Sequence, residues 1–143
     1  IQAYQKTNTS IIGVMPVEQE ETRLYGIVQG IVQGKNNDKT FEIDSMIEKP
    51  KNARSNLAIV GKYIVTPEIF ECLEKAKPGG GKELRLIDGL RELQKKQKIF
   101  GHILDGKFYD TGDKFGMLKA TIDFALKHNG VAEKLKKYLE SKF

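Results

Sequence analysis

Cysteine, histidine and long apolar runs are all scarce in this 143-residue chain, and each scarcity closes off a class of function. Cysteine occurs once, at Cys72, so no intrachain disulfide can form and a reducing compartment, the cytoplasm, is expected. Cys72 lies in the apolar stretch Ile69-Phe70-Glu71-Cys72-Leu73, which favours buried filler over a nucleophile. Histidine occurs twice, at His102 and His128, so no His/Cys cluster has the ligands of a zinc site. No serine, histidine and aspartate pattern signals nucleophilic catalysis. No window approaches the roughly 20 apolar residues that span a bilayer, and a membrane is not an expected partner. Pro78-Gly79-Gly80-Gly81 has no Lys-Ser/Thr ending and no apolar strand directly before it, so it is not a P-loop. A mobile loop beside a site and a plain linker both stay open for it.

What is present is ordinary for a globular domain: 39% hydrophobic and 30% charged residues, with a net charge of +5. The basic residues are densest at 91–98 and 134–142, both on amphipathic helical patterns. The aromatics near them recur at helical spacing and form no stacking array, so nucleic acid is not expected. A basic balance also suits a protein that handles nucleotides and sugar phosphates. The opening, Ile1-Gln2-Ala3-Tyr4-Gln5-Lys6, has no initiator methionine and no signal pattern; it reads as the tail of a helix in a longer protein.

Along the chain, residues 10–17 are almost continuously apolar, as in a strand buried on both faces. Residues 24–32 return to strand character with Gly26 and Gly30 inside, each marking either a bulge or a close approach. A turn at 34–38 and the alternation of Phe41, Ile43 and Ser45 predict a hairpin. A further strand is expected at 57–65. Thr66-Pro67-Glu68 then starts a helix that buries Ile69, Phe70 and Leu73. The spacing of Leu86, Leu90 and Leu93 predicts a helix over 83–97, with Asp88 on its flank. Residues 99–109 read as a hairpin turning at Asp105-Gly106. A helix capped by Asp113 runs to Asn129-Gly130, and a last helix covers 131–143. This order predicts one α/β domain over 1–143 with a mixed sheet.

The most informative stretch is Ser45-Met46-Ile47-Glu48-Lys49-Pro50, followed by Ser55-Asn56-Leu57-Ala58-Ile59-Val60-Gly61-Lys62-Tyr63. Proline cannot donate to a ladder, so Glu48 and Lys49 fall at a strand end. There the chain can bend and break the alternation of faces. An acid that accepts from sugar hydroxyls beside an ammonium that meets a phosphate suits a sugar-phosphate site. Further on, Tyr109-Asp110-Thr111-Gly112-Asp113 ends a strand and opens a helix. Asp110 suits either a turn or a magnesium ligand, since magnesium takes one or two carboxylates with substrate phosphates.

These motifs, with Tyr25-Gly26-Ile27 upstream and Lys114 and Gly116 downstream, closely resemble the C-terminal half of bacterial UTP–glucose-1-phosphate uridylyltransferases from about residue 10 to about residue 129. The resemblance implies a Rossmann-like mixed sheet with C-terminal helices and the site across the strand ends. It implies that Glu48 accepts from glucose hydroxyls and that Lys49, the catalytic candidate, contacts the sugar phosphate. Tyr25, Gly26, Val60 and Gly61 would line the substrate, and Asp110 would help bind Mg²⁺. The implied partners are glucose 1-phosphate, UTP or UDP-glucose, the N-terminal half of the same enzyme, and further copies in a homo-oligomer. The family's Gly-x-Gly-Thr-Arg loop does not occur here, so the chain alone is expected to be inactive. Gly81-Lys82-Glu83-Leu84-Arg85-Leu86-Ile87-Asp88 departs from the family's Gly-Asp/Asn-Glu-Ile-Gln-Leu-Thr-Asp, which weakens any polar role at position 87. Another sugar-1-phosphate nucleotidyltransferase, such as a thymidylyltransferase, and a non-catalytic binding or oligomerisation module are the alternatives.

Overall fold

Residues 1–31, 39–79 and 83–143 are described by a computed structural model. The turn expected at 34–38 and residues 80–82 of the glycine-rich stretch lie outside the described residues. The chain divides into two compact units, Ile1–Asp105 and Gly106–Phe143.

The first unit begins with α1 (Gln2–Thr7) and contains the strands β1 (Ile11–Pro16), β2 (Gly26–Gln29), β3 (Thr40–Glu42), β4 (Ser45–Glu48), β5 (Leu57–Ile64) and β6 (Phe100–Ile103). Two helices, α2 (Ile69–Lys75) and α3 (Leu86–Gln94), lie between β5 and β6 in sequence. Among the described residues the strands form one mixed sheet in the order β3-β6-β1-β5-β2-β4. Only β1 and β6 run parallel; the other pairs are antiparallel. Ile11, Ile12 and Val14 are buried on successive positions, so β1 is covered on both faces as its apolar run predicts.

β3 and β4 occupy opposite edges, yet only Ile43 and Asp44 separate them in sequence. The Ile43 N–H donates to the Ile99 carbonyl at 2.9 Å, and the next N–H, of Asp44, donates to Gln29 at 2.8 Å. One peptide step thus joins the two edges, and the sheet curls around its core. Gly30 is a close approach, because a Cβ there would lie 2.2 Å from the Glu42 carbonyl oxygen. The expected strand through 41–45 is corrected accordingly. It breaks at 43–44, and β2 pairs with β4 instead of β3. Inward positions run Phe41, Ile43 and then Met46, so the period of two is reset at the break.

The hairpin expected at 99–109 does not form. β6 already has β1 and β3 as neighbours, which leaves no free edge for a returning strand. Helix phases also differ from expectation. In α2 the buried residues are Ile69 and Cys72, while Phe70 is exposed. In α3 the buried apolar side chains are Ile87, Leu90 and Leu93, with Asp88 buried beside them, while Leu86 faces out. Cys72 is core filler, as expected. At Gly89 a Cβ would come within 2.5 Å of Leu73, so this glycine lets α2 and α3 pack closely.

The second unit holds α4 (Lys114–Ala125) and α5 (Ala132–Glu140). Asp113 caps α4 as expected, its carboxylate accepting from the Gly116 N–H at 2.8 Å. α4 stops at Ala125, earlier than Asn129-Gly130. The Tyr109 hydroxyl and the Lys107 ammonium both donate to Asp123, at 2.5 and 2.8 Å. No helix of the described residues is long and apolar enough to cross a membrane.

Candidate functional site

The register of β2 and β4 places Gly26 opposite Glu48. Just beyond the ladder, the Lys49 N–H donates to the Tyr25 carbonyl at 3.0 Å. The strand ends therefore bring Tyr25, Gly26, Glu48 and Lys49 together. β5 flanks β2 on its other side, with Ile27 opposite Ala58. The register of β1 with β5 runs from Val14 opposite Ile59 to Gly13 opposite Lys62, which leaves Val60 and Gly61 as a bulge. Bulges re-aim the chain and recur beside functional sites. Gly61 has φ +72° and open space where a Cβ would stand. Glycine is needed there for conformation, not for room. Gly26 is the opposite case, since a Cβ would meet Glu48 Oε2 at 3.1 Å, Ile59 at 3.2 Å and Ile87 at 3.3 Å.

Lys49 has φ +44°, a left-handed conformation that costs a residue with a side chain about 1–2 kcal/mol. Such strain persists where the surroundings fix it, and it clusters at functional sites. Here the bond to Tyr25 and the following Pro50, which is buried, hold it. Lys49 thus departs from strand geometry at the point where Glu48 leaves the sheet.

Glu48 is 23% exposed at its side chain, and its Oε1 lies 3.4 Å from Nη1 of Arg85, which is 41% exposed. Tyr63, 37% exposed, feels the charge of this acid. Burial, and then the negative charge of Glu48, push its hydroxyl above the ordinary value. Arg85, Tyr63 and Ile87 are the site's neighbours that sequence reasoning missed. The apolar character of Ile87 fits its packing against Gly26, where a Cβ would come within 3.3 Å of it. Arg85 stands where the family's stretch has glutamine, but the meaning of that departure depends on the long-range contact with Glu48 that folding creates.

Asp110 belongs to the second unit. Its Oδ1 accepts from the Gly112 N–H at 3.0 Å, and its carbonyl accepts from the Asp113 N–H at 3.3 Å. A Cβ on Gly116 would lie 2.0 Å from that carbonyl oxygen, so the turn depends on this glycine. Among the described residues no three His, Cys, Asp or Glu side chains gather as a metal site. A carboxylate in a rigid turn fits magnesium chemistry as one donor of a set completed by phosphates and another carboxylate.

The family described as Nucleotidyl transferase matches residues 1–126, across both units. A UTP–glucose-1-phosphate uridylyltransferase of Streptococcus pneumoniae is 46% identical over 138 residues, which are 95% of this chain and 46% of the relative. One from Streptococcus pyogenes is 44% identical, with 95% and 45% covered. The fold is similar to a solved UDP-glucose pyrophosphorylase complexed with UDP-glucose, at TM-score 0.81 and 37% identity, covering 89% of this chain and 48% of that one. It is also similar to a UTP-bound UGPase from Acinetobacter baumannii, at TM-score 0.80 and 28% identity, covering 96% and 47%. The chain thus spans just under half the length of the curated relatives it matches. With its curled mixed sheet and a family match over most of its length, the chain belongs to the nucleotidyl transferase family.

Proposed function

We propose that this chain is the sugar-phosphate-binding, C-terminal part of a UTP–glucose-1-phosphate uridylyltransferase. The whole enzyme would make UDP-glucose and pyrophosphate from UTP and glucose 1-phosphate. The observation that carries the reading is the meeting of Glu48, the strained Lys49, Gly26 and the Val60-Gly61 bulge on three neighbouring strands. The similarity to named uridylyltransferases supports the choice of nucleotide and sugar.

Glu48 accepts hydrogen bonds from glucosyl hydroxyls, and the Lys49 ammonium meets the sugar phosphate. Tyr25, Gly26, Val60 and Gly61 shape the wall around the glucosyl group. A phosphate oxygen of glucose 1-phosphate attacks the α-phosphorus of UTP in line. The new P–O bond forms as the bond to the bridging oxygen breaks, and pyrophosphate departs with that oxygen. Such transfers need positioned phosphates and neutralised charge more than covalent help. A bound divalent cation, Mg²⁺ in this reading, would supply the neutralisation. Asp110 is the carboxylate of this chain that would hold it, together with one from the preceding half of the enzyme. That half would also bind the nucleotide phosphates. The protein would act in the cytoplasm as a homo-oligomer.

Pyrophosphate release from UTP and glucose 1-phosphate tests the reading. The 143-residue chain alone should release none. Joined to the preceding half of the S. pneumoniae relative it should turn over, and Lys49→Ala should lower the rate on the order of 10²-fold. A joined protein indifferent to Lys49→Ala contradicts the assignment.

A further inference from the structure

We propose that Arg85 is a positioning residue of the sugar site: it holds the Glu48 carboxylate by Oε1, leaves Oε2 for a sugar hydroxyl, and offsets the carboxylate's charge against an incoming sugar phosphate. The proposal rests on the reading of Glu48 as the sugar-binding acid.

Arg85 stands at the entry to α3, and its backbone is fixed from below. Its N–H donates at 3.0 Å to Oδ2 of Asp88, a buried carboxylate whose Oδ1 accepts from the Gly79 N–H at 3.1 Å. The same Oδ1 lies 3.6 Å from Arg91 Nη1, and Arg91 Nε donates at 3.0 Å to the Met46 carbonyl on β4. The first turn of α3 is therefore tied to the strand that carries Glu48. From this anchored position the guanidinium reaches Oε1 of Glu48.

The other carboxylate oxygen lies beside Gly26, where a Cβ would crowd it at 3.1 Å, so a side chain at this position would press on the acid. Oε1 thus faces a cation, while Oε2 lies beside a glycine whose missing side chain avoids crowding it. A carboxylate that serves as an acceptor has to be aimed, and a charge-assisted partner aims it. A partly exposed ion pair contributes little to folding. Its position at this acid is better explained by what the acid binds. Without Arg85, a phosphate carried by the same ligand would approach an uncompensated negative charge. Tyr63 reports on that charge, because the ionisation of its hydroxyl responds to Glu48.

The test titrates glucose 1-phosphate calorimetrically into the wild-type chain and into Arg85→Gln, Arg85→Lys and Glu48→Gln variants. In the same four proteins without ligand, the ionisation of Tyr63 is followed by NMR of ring-labelled tyrosine. Arg85→Gln is expected to weaken binding about tenfold, with Arg85→Lys recovering part of the loss. Tyr63 should ionise at lower pH in Glu48→Gln, and the partial rescue by Arg85→Lys separates a charge role from a purely structural one. Unchanged affinity in Arg85→Gln beside a wild type that binds overturns the proposal and leaves the sugar site standing. A wild-type chain that binds no glucose 1-phosphate overturns the sugar-site reading, and the role of Arg85 falls with it.

Discussion

The two units answer the same helical grammar in different ways. In Ile1–Asp105 the apolar stripes of α2 and α3 meet a curled sheet, and Ile12, Val14, Val28, Leu90, Leu93 and Ile99 are fully buried. In Gly106–Phe143 Ala120 is buried, while Phe115 and Phe124 are 62% and 65% exposed. A sheet supplies long-range partners for every inward position. Two short helices shield only a narrow stripe, and segments below about 40 residues rarely close a core by themselves. Order in the first unit comes from packing. In the second it comes from local devices: the Asp113 cap, the Asp110 turn and the Asp123 network.

Chemical denaturation should show the contrast most strongly. Leu93→Ala removes a fully buried side chain and is expected to cost about 3 kcal/mol, while Phe124→Ala should cost under about 1 kcal/mol. Equal losses would break the comparison. Gly116→Ala sharpens it, because here the second unit is tight: the new methyl group would strike the Asp110 carbonyl. A loss of about 1–3 kcal/mol and displaced amide shifts at Asp110 and Asp113 are expected. At Lys49→Gly the sign reverses. Relief of the left-handed strain should stabilise the first unit by about 1 kcal/mol while sugar-phosphate binding is lost. A destabilised Lys49→Gly would remove the argument from strain.

The smallest effect concerns pH. Hydrogen bonds from Lys107 and then Tyr109 hold the Asp123 carboxyl below the usual carboxylate range. A carboxyl depressed on folding supports the fold fully above its unfolded value of about 3.9. That support is lost as pH falls through the lower, folded value. Helicity of the second unit, followed by NMR below about pH 4, should decline with acid in the wild type. In Asp123→Asn this component should be absent.

What could be read from the sequence was whatever is decided locally. Pro50 stops a ladder wherever it falls, so Glu48 and Lys49 were placed correctly at a strand end. Asp113 caps α4 through a bond three residues away. The Val60-Gly61 bulge needed the register of β1, and the pairing of β2 with β4 needed the break at Ile43-Asp44, neither of which has a local signature. The buried stripe of α3 starts at Ile87, one residue after the Leu86 that the spacing predicts, because the two are equally apolar and the packing against Gly26 chooses between them. The Arg85–Glu48 pair joins distant segments, which no periodicity reveals.

The central claim is that the strand ends at Glu48 and Lys49 bind a sugar phosphate. Calorimetric titration of glucose 1-phosphate into the wild-type chain, Glu48→Ala and Lys49→Ala tests it most directly. The account predicts saturable binding by the wild type, weakened about tenfold or more in each variant. Binding that survives both substitutions would place the site elsewhere and contradict it.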